Sequence, residues 1–194
     1  MYLYGASGHA KVILDILKAS GKELSAFVDD NESLDVLCGY PVLHGCKDVS
    51  PVIISIGSNK IRQKIAQQLT GTFGRAIHPS AIIADTVSVG VGTVVMHGAI
   101  IQTDAQIGNH VIVNTGVSID HECLIGDFVH LSPSSTLCGN VHVGEGSWIG
   151  AGATVINNVS IGNWSIVAAG SVVTKDVPNG VIVAGVPAKI IKHL

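Results

Sequence analysis

Aromatic residues are scarce in this chain of 194 residues: two Trp, three Tyr and three Phe, 4% of the whole. Its core must therefore be aliphatic. Charged residues make up 13%, about half of the usual quarter. Hydrophobic residues reach 47%, which excludes an intrinsically disordered chain. Eleven Lys and Arg stand against fourteen Asp and Glu, leaving a net charge of -3. No basic run is present, which excludes a nucleic-acid footprint. The four cysteines, Cys38, Cys46, Cys123 and Cys138, form no CxxC pair. They read as reduced thiols of a cytoplasmic protein, not as a disulfide frame. No apolar run approaches the ~18 residues of a membrane helix, so membrane insertion is not expected. Glycine, by contrast, is plentiful at 23 residues, as many short strands with tight corners would require.

The glycines belong to a repeat. Val89-Gly90, Ile107-Gly108, Ile125-Gly126, Val143-Gly144 and Ile161-Gly162 recur every 18 residues, and every sixth residue from Ile77 to Val173 is Ile, Val or Leu. The positions two before each are small (Ala81, Ala99, Cys123, Ser135, Ser147) or β-branched (Val111, Val117, Val129, Val141). A period of six is neither that of a helix nor that of simple strand alternation. It predicts a three-sided coil of parallel strands, with one hexapeptide per side and one large aliphatic residue per side filling the interior. Five to six such coils, about 4.8 Å apart, would stand roughly 25 Å tall.

Residues 1–74 follow another pattern. Met1 to Tyr4 reads as a strand, Gly5-Ala6-Ser7-Gly8 as a turn, and His9 to Ala19 as a helix with Val12, Ile13, Ile16 and Leu17 at helical spacing. Ser25 to Val28 and Val52 to Ile56 read as further strands. A second helix, about Lys60 to Leu69, carries Ile61, Ile65 and Leu69 on one face. This is a small Rossmann-like α/β unit, in which ligands lie beyond the carboxyl ends of the strands. Gly5-x-x-Gly8 at a strand-to-helix turn is either an anion site at a helix N-terminus or a tight turn that needs glycine. Asp29 and Asp30 can accept hydrogen bonds from ribose hydroxyls or a base edge. Expected domains are therefore 1–74, binding a sugar nucleotide, and 75–194, a hexapeptide prism with a C-terminal tail.

The segments Tyr4-Gly5-Ala6-Ser7-Gly8-His9-Ala10, Phe27-Val28-Asp29-Asp30, Ser55-Ile56-Gly57-Ser58-Asn59, Asp120-His121-Glu122-Cys123, Asp127-Phe128-Val129-His130 and Ala184-Gly185-Val186-Pro187-Ala188-Lys189 together resemble the hexapeptide-repeat sugar O-acyl/N-acyltransferase family. The resemblance implies a left-handed parallel β-helix and a homotrimer with active sites between subunits. It also implies acetyl-CoA as cosubstrate and the amine of a nucleotide-linked (UDP- or GDP-type) amino sugar as acceptor, in bacterial glycan synthesis. It places Gly8 and His9 near the diphosphate and sugar, and Asp29, Asp30 and Gly57 around the nucleoside. His121 becomes the general base, polarised by Glu122. His130 meets the acetyl carbonyl or thioester, Gly139, Ala151 and Ala169 line the pantetheine, and Pro187 and Lys189 lie near the adenosine phosphate.

The residue types suit the chemistry. Attack of an amine on a thioester sheds a proton, and histidine is matched to that task near neutral pH. Neighbouring strand residues point to opposite faces, so a His121–Glu122 contact requires a special local turn. Cys123 occupies an inward repeat position and reads as a core residue, not a nucleophile. Within the prism the histidines show no pair about five residues apart, so no metal site is expected. His97, His110 and His142 read as surface or corner residues. Two other readings stay open: O-acetylation of sialic acid or a related sugar, and a non-catalytic sugar-nucleotide-binding regulator.

Overall fold

The computed structural model describes residues 1–194. Its first part is a five-stranded sheet with helices on both faces. The elements are β1 (Tyr2–Tyr4), α1 (Gly8–Ala19), β2 (Ala26–Val28), β3 (Val36–Leu37), β4 (Tyr40–Leu43), β5 (Val52–Ile54) and α2 (Asn59–Ala66), with strand order β3-β4-β2-β1-β5. Strands β2, β1 and β5 run parallel, and β3 pairs antiparallel with β4 in a hairpin that the sequence reading did not anticipate. Alternation divides the sheet into two faces. Leu3, Phe27 and Ile53 pack with α1, while Tyr4, Val28, Val52 and Ile54 pack with Ile65 and Leu69.

Helix α1 is buried on two sides. Ala10, Ile13, Leu14, Ile16 and Leu17 share a core that includes Ala76, Val94, Met96 and Ile112 of the repeat region. Val12, expected inside, is 36% exposed, because the second buried side falls on Ala10 and Leu14. In α2 the expected apolar face is corrected as well. Ile61 is 50% exposed and Arg62 is 1% exposed in its stead.

From Ala76 the chain coils as a left-handed parallel β-helix with two-residue strands. The first face stacks Ile82–Ile83, Ile100–Ile101, Ser118–Ile119, Thr136–Leu137, Thr154–Val155 and Val172–Val173; the second begins at Ser88–Val89 and ends at Ser160–Ile161. The third runs from Ala76–Ile77 through His130–Leu131, Trp148–Ile149 and Ile166–Val167 to a hairpin of Val181–Gly185 and Ala188–His193. Partners lie 18 residues apart, as in Ile101↔Ile119 and Ile107↔Ile125. The aliphatic series from Val95 to Val173 fills the interior; Ile77, Ile83 and Val89 are only partly buried, because the first coil has no coil beneath it.

The corners follow their own six-residue rule. Every sixth residue from Gly92 to Gly170 has positive φ, between 54° at His110 and 72° at Gly92. Glycine, asparagine and aspartate fill most of these left-handed positions, as their small steric cost predicts. The exceptions are His110, Glu122, Phe128, Ser134 and Trp164. Left-handed backbone at bulky residues is uncommon and gathers at functional places. Four of these five lie at the site or at the joint that supports it.

Candidate active site

Sequence places the nucleotide-binding candidates at the carboxyl edge of the sheet, and the fold brings them together there. Gly8 opens α1, whose N-cap Ser7 makes no side-chain cap and whose first turn holds no acid. Asp29, just beyond β2, accepts from the Ala6 amide through Oδ2 (2.7 Å) and from the Asn31 amide through Oδ1 (2.9 Å). Its carboxylate therefore braces the Gly5–Gly8 turn. Asp30 is exposed and accepts from the Tyr4 hydroxyl at 2.8 Å. Burial and that hydrogen bond raise the Tyr4 pKa to about 12. Gly57, past β5, is exposed at the same edge.

Beside this edge the sheet domain locks onto the prism through Arg62, which sequence reasoning missed. Its Nε donates to the His110 carbonyl (2.8 Å), Nη1 to the Ile56 (3.0 Å) and Gly57 (3.2 Å) carbonyls, and Nη2 to the Phe128 carbonyl (2.8 Å) and Asn59 Oδ1 (3.0 Å). Asn59 Nδ2 reaches the Gly146 carbonyl at 3.0 Å, and Gln63 reaches Glu145 at 2.6 Å. The His110 ring lies parallel to Phe128 (5.1 Å) and edge-on to Phe73 (4.5 Å). His110, expected at a surface or corner, sits at a corner but is 5% exposed.

No carboxylate pairs with Arg62, so its charge acts on the histidines around it. Burial, reinforced by Arg62, lowers the pKa of His9 to about 4. His110 is lowered to about 4 by burial and Arg62, against a weaker pull from Asp127. His130 falls to about 4 through burial, then Arg62 and His9, with the Gly57 carbonyl opposing. All three are neutral imidazoles near pH 7. His9 Nε2 is buried without a hydrogen-bond partner. Gly57, His130, Trp148, Trp164 and Ile166 line a cavity of about 500 Å³.

The base candidate stands elsewhere. His121 and Glu122 occupy the corner between the first and second faces, and His121 Nδ1 lies 3.0 Å from Glu122 Oε2. Strand alternation would have separated them. Glu122 has φ 60°, and this left-handed turn brings its carboxylate back beside the ring. Both side chains are exposed, at 52% and 64%. One coil above, Gly139 is buried against the ring: a Cβ there would stand 2.5 Å from His121 Nε2. Gly139, expected along the pantetheine, thus also seats the imidazole. Around them a groove of about 390 Å³ is lined by Cys138, Asn140, Asn157 and Asn158. Cys123 is buried, donates to the Cys138 carbonyl (3.2 Å), and has its pKa raised by burial, which suits a core thiol.

Ala151 and Ala169 are exposed one above the other at the third-to-first corner, and Pro187 and Lys189 are exposed at the C-terminal hairpin. Within the chain the expected residues therefore form separate groups: the sheet edge with His130, the His121 corner, and the alanine corner with the hairpin. A histidine spacing of 19 also proves to matter. His78 and His97 stack at 3.7 Å on adjacent coils, and His97 Nε2 meets Asp15 Oδ2 at 2.9 Å. The ligating atoms of this trio lie within 4.8 Å of one another. The rings are nearly parallel, 27° apart, so their lone pairs run side by side and do not converge on one ion.

Comparison with known proteins gives the family. Residues 1–69 match the PglD N-terminal domain, and residues 140–175 match the bacterial transferase hexapeptide model of six repeats. A histidine-to-asparagine variant of perosamine N-acetyltransferase from Caulobacter crescentus, in complex with CoA and GDP-perosamine, is 38% identical, with a TM-score of 0.91 over 98% of this chain and 96% of that one. The chain belongs to the hexapeptide-repeat sugar N-acyltransferase family. Within this family, the acetyltransferase domain of PglB from Neisseria gonorrhoeae, in complex with acetyl coenzyme A, is 33% identical, with a TM-score of 0.90 over 98% of both chains. UDP-N-acetylbacillosamine N-acetyltransferase of Bacillus subtilis is 42% identical over 107 residues, 48% of this chain and 50% of that protein. The chain spans half or less of the length of the curated relatives it matches. No helix in it is long and apolar enough to cross a membrane.

Proposed function

We propose that the chain is an acetyl-CoA-dependent N-acetyltransferase acting on the amine of a nucleotide-linked amino sugar, GDP- or UDP-type, in the cytoplasm. Residues 1–74 hold the sugar nucleotide at the Gly8, His9, Asp29, Asp30 and Gly57 edge. Residues 75–194 hold acetyl-CoA along Gly139, Ala151, Ala169, Pro187 and Lys189. The observation that carries this reading is the His121–Glu122 pair at 3.0 Å, seated on Gly139 in an open corner groove. His121 and the sheet edge lie on different sides of one protomer. A homotrimer, which sets the corner of one subunit against the sheet edge of the next, completes the site.

The reaction follows from these groups. Glu122 accepts the Nδ1–H of His121, which leaves Nε2 as the lone pair facing the groove. The substrate amine attacks the thioester carbonyl, its C–N bond forms, and Nε2 takes the amine proton. As the tetrahedral centre collapses, the C–S bond breaks and CoA leaves as thiolate, which then takes the proton from the imidazolium. No acyl-enzyme forms.

Purified protein given acetyl-CoA with a panel of GDP- and UDP-linked 4-amino sugars is expected to release CoA with at least one of them. His121→Ala lowers kcat at least about 10²-fold, a typical worth of general-base catalysis, while the oligomer stays intact. Silence across the panel from folded wild-type protein would reject the function. Full turnover in the variant would remove His121 as base.

A further inference from the structure

His130 is held from below and above by a device that occurs twice on the third face. Asn114 Nδ2 contacts His130 Nε2 at 3.3 Å, across a sequence separation of 16. One coil higher, at the same separation, the Trp148 indole Nε1 donates to Ser132 Oγ at 2.6 Å. The pinned indole lies parallel to the His130 ring, 8° apart with centroids at 5.7 Å. The amide of Asn114 is itself fixed, because its Oδ1 accepts the Thr115 amide at 2.8 Å. Its NH₂ group is therefore the end that faces His130. An NH₂ group can only donate.

We infer that Asn114 is a positioning residue that holds His130 in the Nδ1–H tautomer, so that the ring presents a hydrogen-bond donor to the cavity beside Gly57. With Nε2 occupied as an acceptor, the proton of the neutral ring resides on Nδ1. A carbonyl oxygen of the acyl donor entering the cavity then meets an N–H, not a competing lone pair. The Trp148 face restricts rotation of the ring, and Asn114 decides which nitrogen carries the hydrogen. The tautomer follows from these contacts alone; its effect on turnover rests on the proposed acyl transfer.

The test reads the tautomer directly. In full-length protein labelled with 15N at histidine, two-bond correlations at pH 7.5 should show His130 with a protonated Nδ1 and an unprotonated Nε2, without any substrate present. In Asn114→Ala the signal should become a mixture of tautomers, and KM for acetyl-CoA should rise about tenfold, as expected for one lost hydrogen bond. The change in kcat should stay below about threefold. Asn114→Asp has the same shape with only acceptors, so it should invert the tautomer; it serves equally if the alanine variant fails to fold. A protonated Nε2 in wild type, or an unchanged tautomer in Asn114→Asp, overturns the inference. A shifted tautomer with unchanged KM overturns the donor role. Absence of turnover in wild type rejects the proposed function while the tautomer readout still decides the positioning.

Discussion

Arg62 Nε donates to the main-chain carbonyl of His110 at 2.8 Å, so a cation from the sheet domain ends inside the wall of the prism. Its other partners, the Ile56, Gly57 and Phe128 carbonyls, are spread over the loop and corner that frame the cavity. A single planar fork thus fixes the loop bearing Gly57 relative to the strand bearing His130. Lysine keeps the charge but cannot span such divergent acceptors.

Arg62→Met should leave several buried carbonyls without donors. Each unsatisfied group costs ~1–3 kcal/mol, and part is recovered by water entry, so a loss on the order of 3–5 kcal/mol is expected. For a chain of this size that lowers the melting temperature by roughly 10 °C or more. Arg62→Lys should fall between wild type and Arg62→Met in calorimetry. Equal stability of all three would show that the joint does not depend on the guanidinium.

The prism was legible because each hexapeptide encodes one face: the aliphatic residue that must point inward also sets the register. The turns and strands of residues 1–74 were legible for similar local reasons, and the Gly5–Gly8 turn stands where it was expected. Arg62 was not, since a charged residue on a short helix reads as solvated, and only a second packed body makes its burial favourable. The hairpin Val36–Leu43 escaped because a short apolar run around Cys38-Gly39 has no period long enough to detect. The His121–Glu122 contact was legible only through the family resemblance, because strand alternation gives the wrong answer at a corner. Its signal was available in the second six-residue series. Reading from Gly92, the residues that break the glycine, asparagine and aspartate rule include Glu122, Phe128 and Trp164.

Gly139→Ala tests the seat of His121, the proposed base. Gly139 has ordinary negative φ, so alanine is free to adopt its backbone, and the added methyl collides with the His121 ring alone. The imidazole must tilt away, and displacements of about 1 Å at reacting groups cost on the order of 10²-fold in rate. Expected is a kcat loss of that order with a melting temperature close to wild type. Unchanged kcat would mean that His121 works from another rotamer.

Glu122→Gln preserves size and removes the charge beside His121 Nδ1. If the carboxylate stabilises the imidazolium formed during transfer, kcat falls roughly tenfold or more while KM for acetyl-CoA holds, a term confined to the transition state. Steady-state kinetics of the variant decides it. An equal rise in KM would assign Glu122 to ligand binding.

Acid should loosen the joint before it unfolds the rest. His9, His110 and His130 have folded pKa values of about 4, below the unfolded value of 6.5, through burial and the Arg62 charge. Between those values the unfolded chain binds more protons, so stability falls as pH drops from about 6.5 toward 4 and is fully present above that window. Each such histidine contributes at most ~1.4 kcal/mol per pH unit. A combined loss on the order of 2–4 kcal/mol from pH 6.5 to 5 corresponds to a melting temperature lower by about 5–15 °C. His110→Phe should flatten this acid limb, because its ring already sits between Phe73 and Phe128 and its buried Nδ1 has no partner to lose. A melting temperature independent of pH from 6.5 to 5 in wild type would show that these rings are not held neutral. An unaltered acid slope in His110→Phe would assign the effect to His9 and His130.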